Sequence, residues 1–257
     1  MVKVNAVFSD YDGTLCALEQ RREDARIAPR LQRLLTKASK IVKIGIVTTK
    51  DLDFIKERVP FAHGIAASCG LEFLIGDRII EDDRVQKNEK VEIAYRETLK
   101  RILPVRDNIM IERKATEDGD LLAFCLDWRL SSDWDEAKRR AAPLLTYCKE
   151  SGLFVVESDV SPFANVYPFA VDKGSAFAKL RDEMGVTGPV MYWGDSEVDD
   201  PAFRLADISI GIIHRRIMPK LACQYRLGFF ELENFLSNLI EADFDFKDTM
   251  AERNTQE

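Results

Sequence analysis

Short hydrophobic runs alternate along the chain with segments whose apolar residues recur at helical spacing. Residues 4–9 and 41–47 are apolar and rich in β-branched side chains, which predicts buried strands, whereas residues 27–38 and 51–58 show the spacing of amphipathic helices. Residues 64–68 are predicted to add a third strand. Because strand and helix alternate in this way, the first part of the chain is predicted to form a parallel sheet.

The pattern changes after residue 81. Residues 71–75 and 78–81 predict a hairpin, and helices are predicted at 85–102 and 133–149. Four further strands are predicted, at 108–113, 121–128, 154–157 and 164–167. Pro143 lies inside the second helix, where its missing N–H leads us to expect a kink or break.

The alternation of strand and helix resumes near residue 168. Helices are predicted at 173–184, 201–206 and 231–240, with strands at 189–193 and 208–213. The predicted fold class is therefore α/β, with a doubly wound, Rossmann-like parallel-sheet core formed by residues 1–81 and 168–257 and an α+β unit inserted at residues 82–167. The polar tail from 243 to 257 is expected to fray.

Composition and charge narrow the function classes. The 257 residues are 46% apolar and 32% charged, as in globular proteins, and no apolar run is long enough for a membrane span. The formal net charge of −7 argues against a nucleic-acid partner, so the basic clusters at 138–140 and 214–216 are interpreted as solvated faces. Without a signal segment, a cytoplasmic location is expected.

Histidine and cysteine chemistry is poorly supported. The chain has two histidines and five scattered cysteines without a C-x-x-C pair, so neither a histidine-ligated metal nor a disulfide framework is indicated. The cysteines are predicted to be buried thiols. Catalysis must then rest on carboxylates, lysines and hydroxyls.

Asp10 and Asp12 are the strongest chemical signal. They leave a short apolar strand two residues apart, so their side chains can turn to one side, and Gly13 permits a sharp bend. Two carboxylates about 4 Å apart repel by roughly 4 kcal/mol at an effective dielectric of 20. Either a cation joins them or one holds a proton, and both arrangements suit phosphoryl transfer. The alternative interpretation is a polar turn.

Three more groups lie at predicted strand ends, where open α/β sheets bind ligands. Thr48 and Thr49 follow the second strand, where a hydroxyl and free amides suit phosphate oxygens, although Thr48 would also serve as a helix cap. Lys173 begins a helix, which an unpaired lysine does not favour. Residues 195–200 carry four carboxylates, including Asp195 and Asp199, and such an oxygen-rich site suits Mg²⁺; an acidic first helical turn is the alternative.

These motifs resemble those of the haloacid dehalogenase (HAD) superfamily. D-Y-D-G-T at 10–14, the threonine after an apolar strand, the Lys-Gly helix start and G-D-x-x-x-D at 194–199 have that family's order and spacing. The resemblance implies that Asp10 is the nucleophile and Asp12 the general acid/base, with Thr48 and Lys173 holding the phosphoryl group. It also implies a Mg²⁺ site formed by Asp10, the backbone carbonyl of Asp12 and Asp195, supported by Asp199.

The inserted segment resembles the type C2 cap of subclass IIB, the sugar-phosphatase branch, and its short motifs are most similar to trehalose-6-phosphate phosphatases. That resemblance implies sugar contacts by Thr49 and by the cap residues Glu112, Lys114 and Arg129; exposed strand positions are the alternative for the cap residues. Three departures bear on the substrate: T-T-K at 48–50 replaces the usual S/T-G-R, G-D-S-E-V-D-D differs from the trehalose pattern, and Asp127 stands where histidine is frequent.

The resemblance therefore implies a Mg²⁺-dependent phosphatase acting on a small-molecule sugar phosphate, as a monomer or small homo-oligomer. Trehalose 6-phosphate is the first named candidate, and mannosyl-3-phosphoglycerate, sucrose phosphate and hexose phosphates are the alternatives. A receiver-type phosphoacceptor module lacks D-x-D-G-T and is about half as long. A non-catalytic binding protein of the same fold is a further alternative, and the intact set of acids and lysine argues against it.

Overall fold

The computed structural model describes residues 1–85, 89–102, 108–158, 161–214 and 220–255. Part of the helix predicted at 85–102, namely residues 86–88, and Arg215 and Arg216 of the second basic cluster lie outside these ranges. Within them, none of the helices has the length and apolar character that a membrane span requires.

The elements follow one another as strands and helices over nearly the whole described chain. The strands are β1 (Val2–Lys3), β2 (Ala6–Ser9), β3 (Lys43–Val47), β4 (Gly64–Ala67), β5 (Glu72–Ile75), β6 (Arg78–Glu81), β7 (Met110–Ala115), β8 (Leu121–Asp127), β9 (Phe154–Glu157), β10 (Phe163–Tyr167), β11 (Val190–Gly194), β12 (Ile208–Ile213), β13 (Tyr225–Gly228), β14 (Asp245–Phe246) and β15 (Glu252–Arg253). The α-helices are α1 (Pro29–Ala38), α2 (Leu52–Lys56), α3 (Glu89–Ile102), α4 (Trp134–Glu150), α5 (Lys173–Glu183), α6 (Asp200–Phe203) and α7 (Leu232–Glu241).

The larger sheet has the order β15-β13-β12-β11-β2-β3-β4-β5-β6. Its six central strands, from β13 to β4, are parallel, and β15, β5 and β6 are antiparallel additions at the edges. The order of the parallel strands reverses between β2 and β11, as in doubly wound folds. This confirms the predicted α/β class.

Helices cover both faces of this sheet because its central strands are apolar on both sides. On β2, Val7 packs with residues of α1, α2 and α7, whereas Ala6 and Phe8 pack on the opposite face against Phe177 and Leu180 of α5. Successive strand residues point to opposite faces, so a continuous apolar run supplies two cores.

The smaller sheet is antiparallel, with the order β7-β8-β10-β9. Helices α3 and α4 pack on one of its faces through residues such as Val91, Ala141 and Phe124. This unit of α3, α4 and β7–β10 is called the cap below. All its strands come from one continuous stretch between β6 and α5, and the division at residues 81/82 and 167/168 remains our proposal.

The kink or break expected at Pro143 does not interrupt helix α4. The helix is continuous from Trp134 to Glu150, and Pro143 lies on its exposed face. The carbonyl of Arg139, which loses its usual N–H partner, belongs to an exposed residue as well. Water can therefore satisfy this carbonyl, and the helix continues.

The expectation that residues 243–257 fray is wrong for their described part. Within this part, β14 pairs with β1 and β15 pairs with β13, while Phe244 and Phe246 are almost completely buried. Strand β13 and these tail strands were not predicted, because none of them is a continuous apolar run.

Candidate functional site

The candidate site lies where the strand order of the larger sheet reverses. Asp10 follows β2 directly, and Asp195 follows β11, the neighbouring strand. The Asp10 amide donates to the carbonyl of Trp193 at 2.9 Å, which fixes the two strand ends against each other. The carboxyl ends of parallel strands at such a switch point form the ligand crevice of doubly wound folds.

Lys173 joins the two strand ends electrostatically. Its Nζ lies 2.8 Å from Asp10 Oδ1 and 2.8 Å from Asp199 Oδ1, and the side chain is only 2% exposed. Asp172 caps α5 and thereby sets where this lysine starts the helix. Lys173 is therefore not a solvated surface lysine, because it bridges two buried carboxylates.

Asp199 is bonded on both of its oxygens. Oδ1 also accepts a hydrogen bond from the Tyr192 hydroxyl at 2.9 Å, and Oδ2 accepts from the amides of Asp195 and Ser196 at 3.2 and 3.3 Å. A carboxylate offers about four lone-pair sites. Asp199 is thus fully engaged in orienting Lys173 and the acidic loop.

Asp10, Asp195 and Asp199 each offer an oxygen within 4.8 Å of the others. No donor among the described residues bonds to the Asp195 carboxylate, and the ion pair of Asp10 is made by Oδ1 alone. These three residues and Lys173 are called the nucleophile end, after the role that the family resemblance implies for Asp10. Its donor set consists of oxygens, which suits a hard divalent cation such as Mg²⁺.

Gly13 allows the acidic loop to approach this closely. Its φ is +77°, and a Cβ there would lie 2.0 Å from Asp195 Oδ2. Crowding and burial also affect protonation: burial, opposed by Lys173 and assisted by Asp199, raises the pKa of Asp10 to about 7. Burial and Asp10 raise the pKa of Asp195 well above its usual range. Three carboxylates lie together here beside one lysine, and each disfavours the charged form of the others.

Asp12 has a different environment. Lys50 Nζ lies 3.2 Å from its Oδ2, and Nη1 of Arg129, from the cap, lies 3.6 Å from its Oδ1. Burial alone would raise the pKa of Asp12, but Lys50 and Arg129 outweigh it and lower this pKa below its usual value. The carboxylate form is therefore favoured.

The contacts of Asp12 continue into a chain of ion pairs. Lys50 also lies 3.6 Å from Glu112 of β7, Glu112 pairs with Arg22, and Arg22 pairs with Asp51. Asp51 in turn caps α2 by accepting from the Phe54 amide at 2.9 Å. Asp12, Arg22, Lys50, Asp51, Glu112 and Arg129 are called the cap-facing network, because it crosses from the core to the cap.

The two predicted threonines occupy different positions. The Thr48 side chain is fully buried and its hydroxyl accepts from the Lys50 amide at 3.2 Å, whereas Thr49 lines the cleft together with Asp10 and Asp12. The structure therefore brings Thr49 to the open side of the site. Thr48 shapes the turn that follows β3.

The predicted cap residues contact the core. Lys114, 1% exposed, donates to the Thr49 carbonyl and to Asn165, and Arg129 donates to the Gln20 carbonyl at 3.0 Å and to Asp127 at 2.7 Å. Together with Glu112, they bring the cap against the core. Asp127 therefore orients Arg129 by ion pairing.

The cap side of the cleft is lined by residues that the sequence did not single out. They include Ser158, Ser161, Phe163 and Asn165, around the β9–β10 connection. Their only sequence signal is a polar loop between two predicted strands. The free volume that they enclose with the core is about 10 Å³, roughly one water. Any larger leaving group therefore requires the cap and core to separate.

Comparisons with known proteins were made at the level of sequence and of structure. No family model matches the chain. Phosphoglycolate phosphatase 2 of Saccharolobus solfataricus is 25% identical over 210 residues, which are 80% of this chain and 78% of that protein.

Solved structures share the fold at lower identity. The C-terminal domain of C. albicans trehalose-6-phosphate phosphatase has a TM-score of 0.76 and 17% identity, covering 93% of this chain and 94% of that one. A subclass IIB sugar phosphatase of the HAD superfamily has a TM-score of 0.61 and 14% identity, covering 94% and 100%. The chain therefore shares the fold of these solved structures, and its sequence is similar to that of a phosphatase over most of its length.

Proposed function

We propose that the protein is a Mg²⁺-dependent phosphomonoesterase acting on a sugar phosphate. The observation that carries the proposal is the bridge from Lys173 to Asp10 and Asp199, beside the open carboxylate of Asp195. This arrangement holds one carboxylate oxygen by a lysine and leaves the other available for attack. Lysine and a cation together would neutralise a phosphate dianion.

In the proposed reaction, an Asp10 oxygen attacks phosphorus, the ester oxygen leaves, and an aspartyl-phosphate forms. Asp12 gives a proton to the departing oxygen and then takes one from the water that hydrolyses the intermediate. In the closed cleft, Lys50 and Arg129 favour the carboxylate of Asp12, which is the base of the second step. Opening of the cap would remove Arg129 but leave Lys50 beside Asp12, and the proton of the first step is proposed to bind Asp12 in that open state.

The metal site is proposed at Asp10, Asp195 and the backbone carbonyl of Asp12, with Asp199 supporting it and orienting Lys173. The oxygen-only donor set and the lack of a donor on Asp195 within the described chain fit a divalent cation. When bound, Mg²⁺ would offset the charge of the phosphate during transfer.

A sugar as the leaving group is supported by the cap side of the cleft. Ser161 and Asn165 offer neutral hydrogen-bonding groups, and Phe163 offers an apolar ring face beside them. Thr49 faces them from the core, while the charged groups of Glu112, Lys114 and Arg129 are proposed to bind sugar hydroxyls once the cap has opened. The fold similarity to a trehalose-6-phosphate phosphatase makes trehalose 6-phosphate the first candidate.

The test is phosphate release with Mg²⁺ from trehalose 6-phosphate, sucrose 6-phosphate, mannosyl-3-phosphoglycerate, hexose phosphates, phosphoglycolate and p-nitrophenyl phosphate. The trehalose assignment requires a higher kcat/KM for trehalose 6-phosphate than for the aryl ester. Asp10→Asn should lower kcat by about 10³-fold or more, because the nucleophile is lost. Asp182→Asn, at an exposed position of α5, is the matched control and should retain activity. Mg²⁺-dependent turnover by Asp10→Asn at the wild-type rate would refute the mechanism.

A further inference from the structure

Lys50 is, with Thr49, one of the two residues at which the second motif departs from the family pattern, and the structure gives it an unusual position. The side chain is 3% exposed, yet its ammonium lies between two carboxylates, 3.2 Å from Asp12 and 3.6 Å from Glu112. Asp12 belongs to the core and Glu112 to the cap. The buried ammonium of Lys50 therefore contacts both the proposed acid/base, Asp12, and the cap.

The backbone of Lys50 is fixed on both sides. Its amide donates to the Thr48 hydroxyl at 3.2 Å, and its carbonyl accepts from the Ser68 amide at 2.6 Å. The ammonium also lies 5.2 Å from the centre of the Phe54 ring. With the backbone held and the side chain enclosed, the direction of the ammonium toward Asp12 is set by the fold.

Glu112 is held in place by a partner of its own. Arg22 bonds to Glu112 and also to Asp51, the cap of α2. The Arg22 guanidinium lies 4.4 Å from the centre of the Phe54 ring, the ring that also faces Lys50. When the cap closes, Glu112 therefore docks against a rigid pair of core cations.

We propose that Lys50 is a positioning residue, which orients the Asp12 carboxyl group, protonated for the first step, toward the leaving oxygen and does so fully only when Glu112 of the closed cap contacts it. The inference rests on the proposed function, in which Asp12 transfers the proton. It assigns the lysine of the T-T-K motif a role in coupling cap closure to proton transfer. Simple charge compensation, by contrast, would require no particular orientation of Asp12.

The experiment uses two phosphate esters with leaving groups of different quality. p-Nitrophenolate leaves without a proton, whereas the alkoxide of glycerol 2-phosphate needs one. Release of the alcohol or phenol is followed in single turnovers with enzyme in excess, which isolates the first step from hydrolysis of the intermediate. The variants are Lys50→Met, Lys50→Arg, Glu112→Gln and the double variant Lys50→Met/Glu112→Gln. Lys43→Met, at the opposite end of β3, is the control.

We expect Lys50→Met to slow release from glycerol 2-phosphate by about 10²-fold and from p-nitrophenyl phosphate by about 5-fold or less. KM should change little, and Lys50→Arg should restore most of the rate. Glu112→Gln should slow the alkyl ester by about 10-fold, and adding it to Lys50→Met should cost nothing further, because both act through Asp12. Lys43→Met should behave as wild type.

Equal losses on the two esters, or additive effects in the double variant, would overturn the positioning role. A wild-type enzyme that hydrolyses neither ester with Mg²⁺ would instead refute the phosphatase function. Asp12→Asn separates these outcomes, since it must show the selective loss on the alkyl ester if Asp12 is the acid. Thermal unfolding of each variant establishes whether it is folded. If Lys50→Met does not fold, the two esters are compared with Lys50→Arg instead.

Discussion

The two halves of the site balance their charges differently. At the nucleophile end, three buried carboxylates share one lysine, and the pKa values of Asp10 and Asp195 rise accordingly. In the cap-facing network, Asp12 lies between Lys50 and Arg129, and the pKa of Asp12 falls. The first half has more carboxylates than basic groups. In the second half the acidic and basic side chains of the protein are equal in number.

Replacing Lys173 should have the largest effect on the difference between the two halves of the site. Lys173→Met deprives Asp10 and Asp199 of their shared cation, so kcat should fall by about 10³-fold or more. The loss of a partner in a buried ion pair should also lower the free energy of unfolding by about 3–5 kcal/mol in metal-free buffer. Denaturant titration measures the second effect, with Lys179→Met on the same helix as the control. Unchanged unfolding would show that the nucleophile end tolerates three unpaired acids.

Metal binding should distinguish the two halves directly. Mg²⁺ at about 100 times its Kd should stabilise the wild type by about 2.7 kcal/mol, because it binds the folded state. Asp195→Asn should lose most of this gain, whereas Glu112→Gln should keep it. Unfolding in chelator and in Mg²⁺ measures the difference. If Glu112→Gln abolished the gain and Asp195→Asn did not, the cation would belong to the cap-facing network.

Arg129→Gln tests the cap-facing network, in which acidic and basic side chains balance. The guanidinium is buried between Asp12, Asp127 and the Gln20 carbonyl, so its loss should lower the free energy of unfolding by about 2 kcal/mol. The stabilisation by Mg²⁺ should not change. The free energy of unfolding with and without Mg²⁺ is measured for this variant and for the exposed Arg96→Gln. A variant as stable as wild type would mean that Arg129 does not link cap and core.

Glu72 is a buried acid that forms no ion pair with a lysine of the described residues. Burial, with Glu81, Asp51, Asp53 and Glu117 nearby, raises its pKa from 4.5 to about 8. The folded state therefore binds the proton more tightly than the unfolded state, and this contribution to stability, full below pH 4.5, is lost as pH rises toward 8.

Glu72→Gln should remove this decline, a slope on the order of 1 kcal/mol per pH unit between pH 5 and 7.5. Unfolding of wild type and variant across this range measures it, and Asp77→Asn, exposed in the turn between β5 and β6, is the control. Equal slopes for wild type and Glu72→Gln would contradict the shift. Unlike Asp10 and Asp195, Glu72 does not belong to the carboxylate cluster that could hold a metal ion. Its titration therefore measures the effect of burial on the pKa apart from that cluster.

Much of the fold was predictable from residue patterns, and the reason is local. The strands β2, β3, β11 and β12 are continuous apolar runs, and a run buried on both faces leaves a strong signal in the sequence. Strand β13 and the tail strands carry no such signal. Their pairing depends on distant partners, which a local pattern does not contain.

The same division applies to the site. Asp10, Asp195 and Lys173 stand at strand or helix ends, so their convergence follows from topology. The partners of Lys50 and Arg129, and the lining by Ser161 and Asn165, depend on how the cap docks onto the core. Docking geometry arises from side-chain packing between units, and the motifs do not encode it.

The adjacency of β2 and β11 has a consequence for synthesis of the chain. Strand β2, which precedes Asp10, is made before the cap, and strand β11, which precedes Asp195, is made only after the whole cap. Contacts this distant in sequence form late, because a long loop must close before they do. A chain that ends before β11 therefore lacks Asp195 and Asp199, and its carboxylate cluster is incomplete by topology alone.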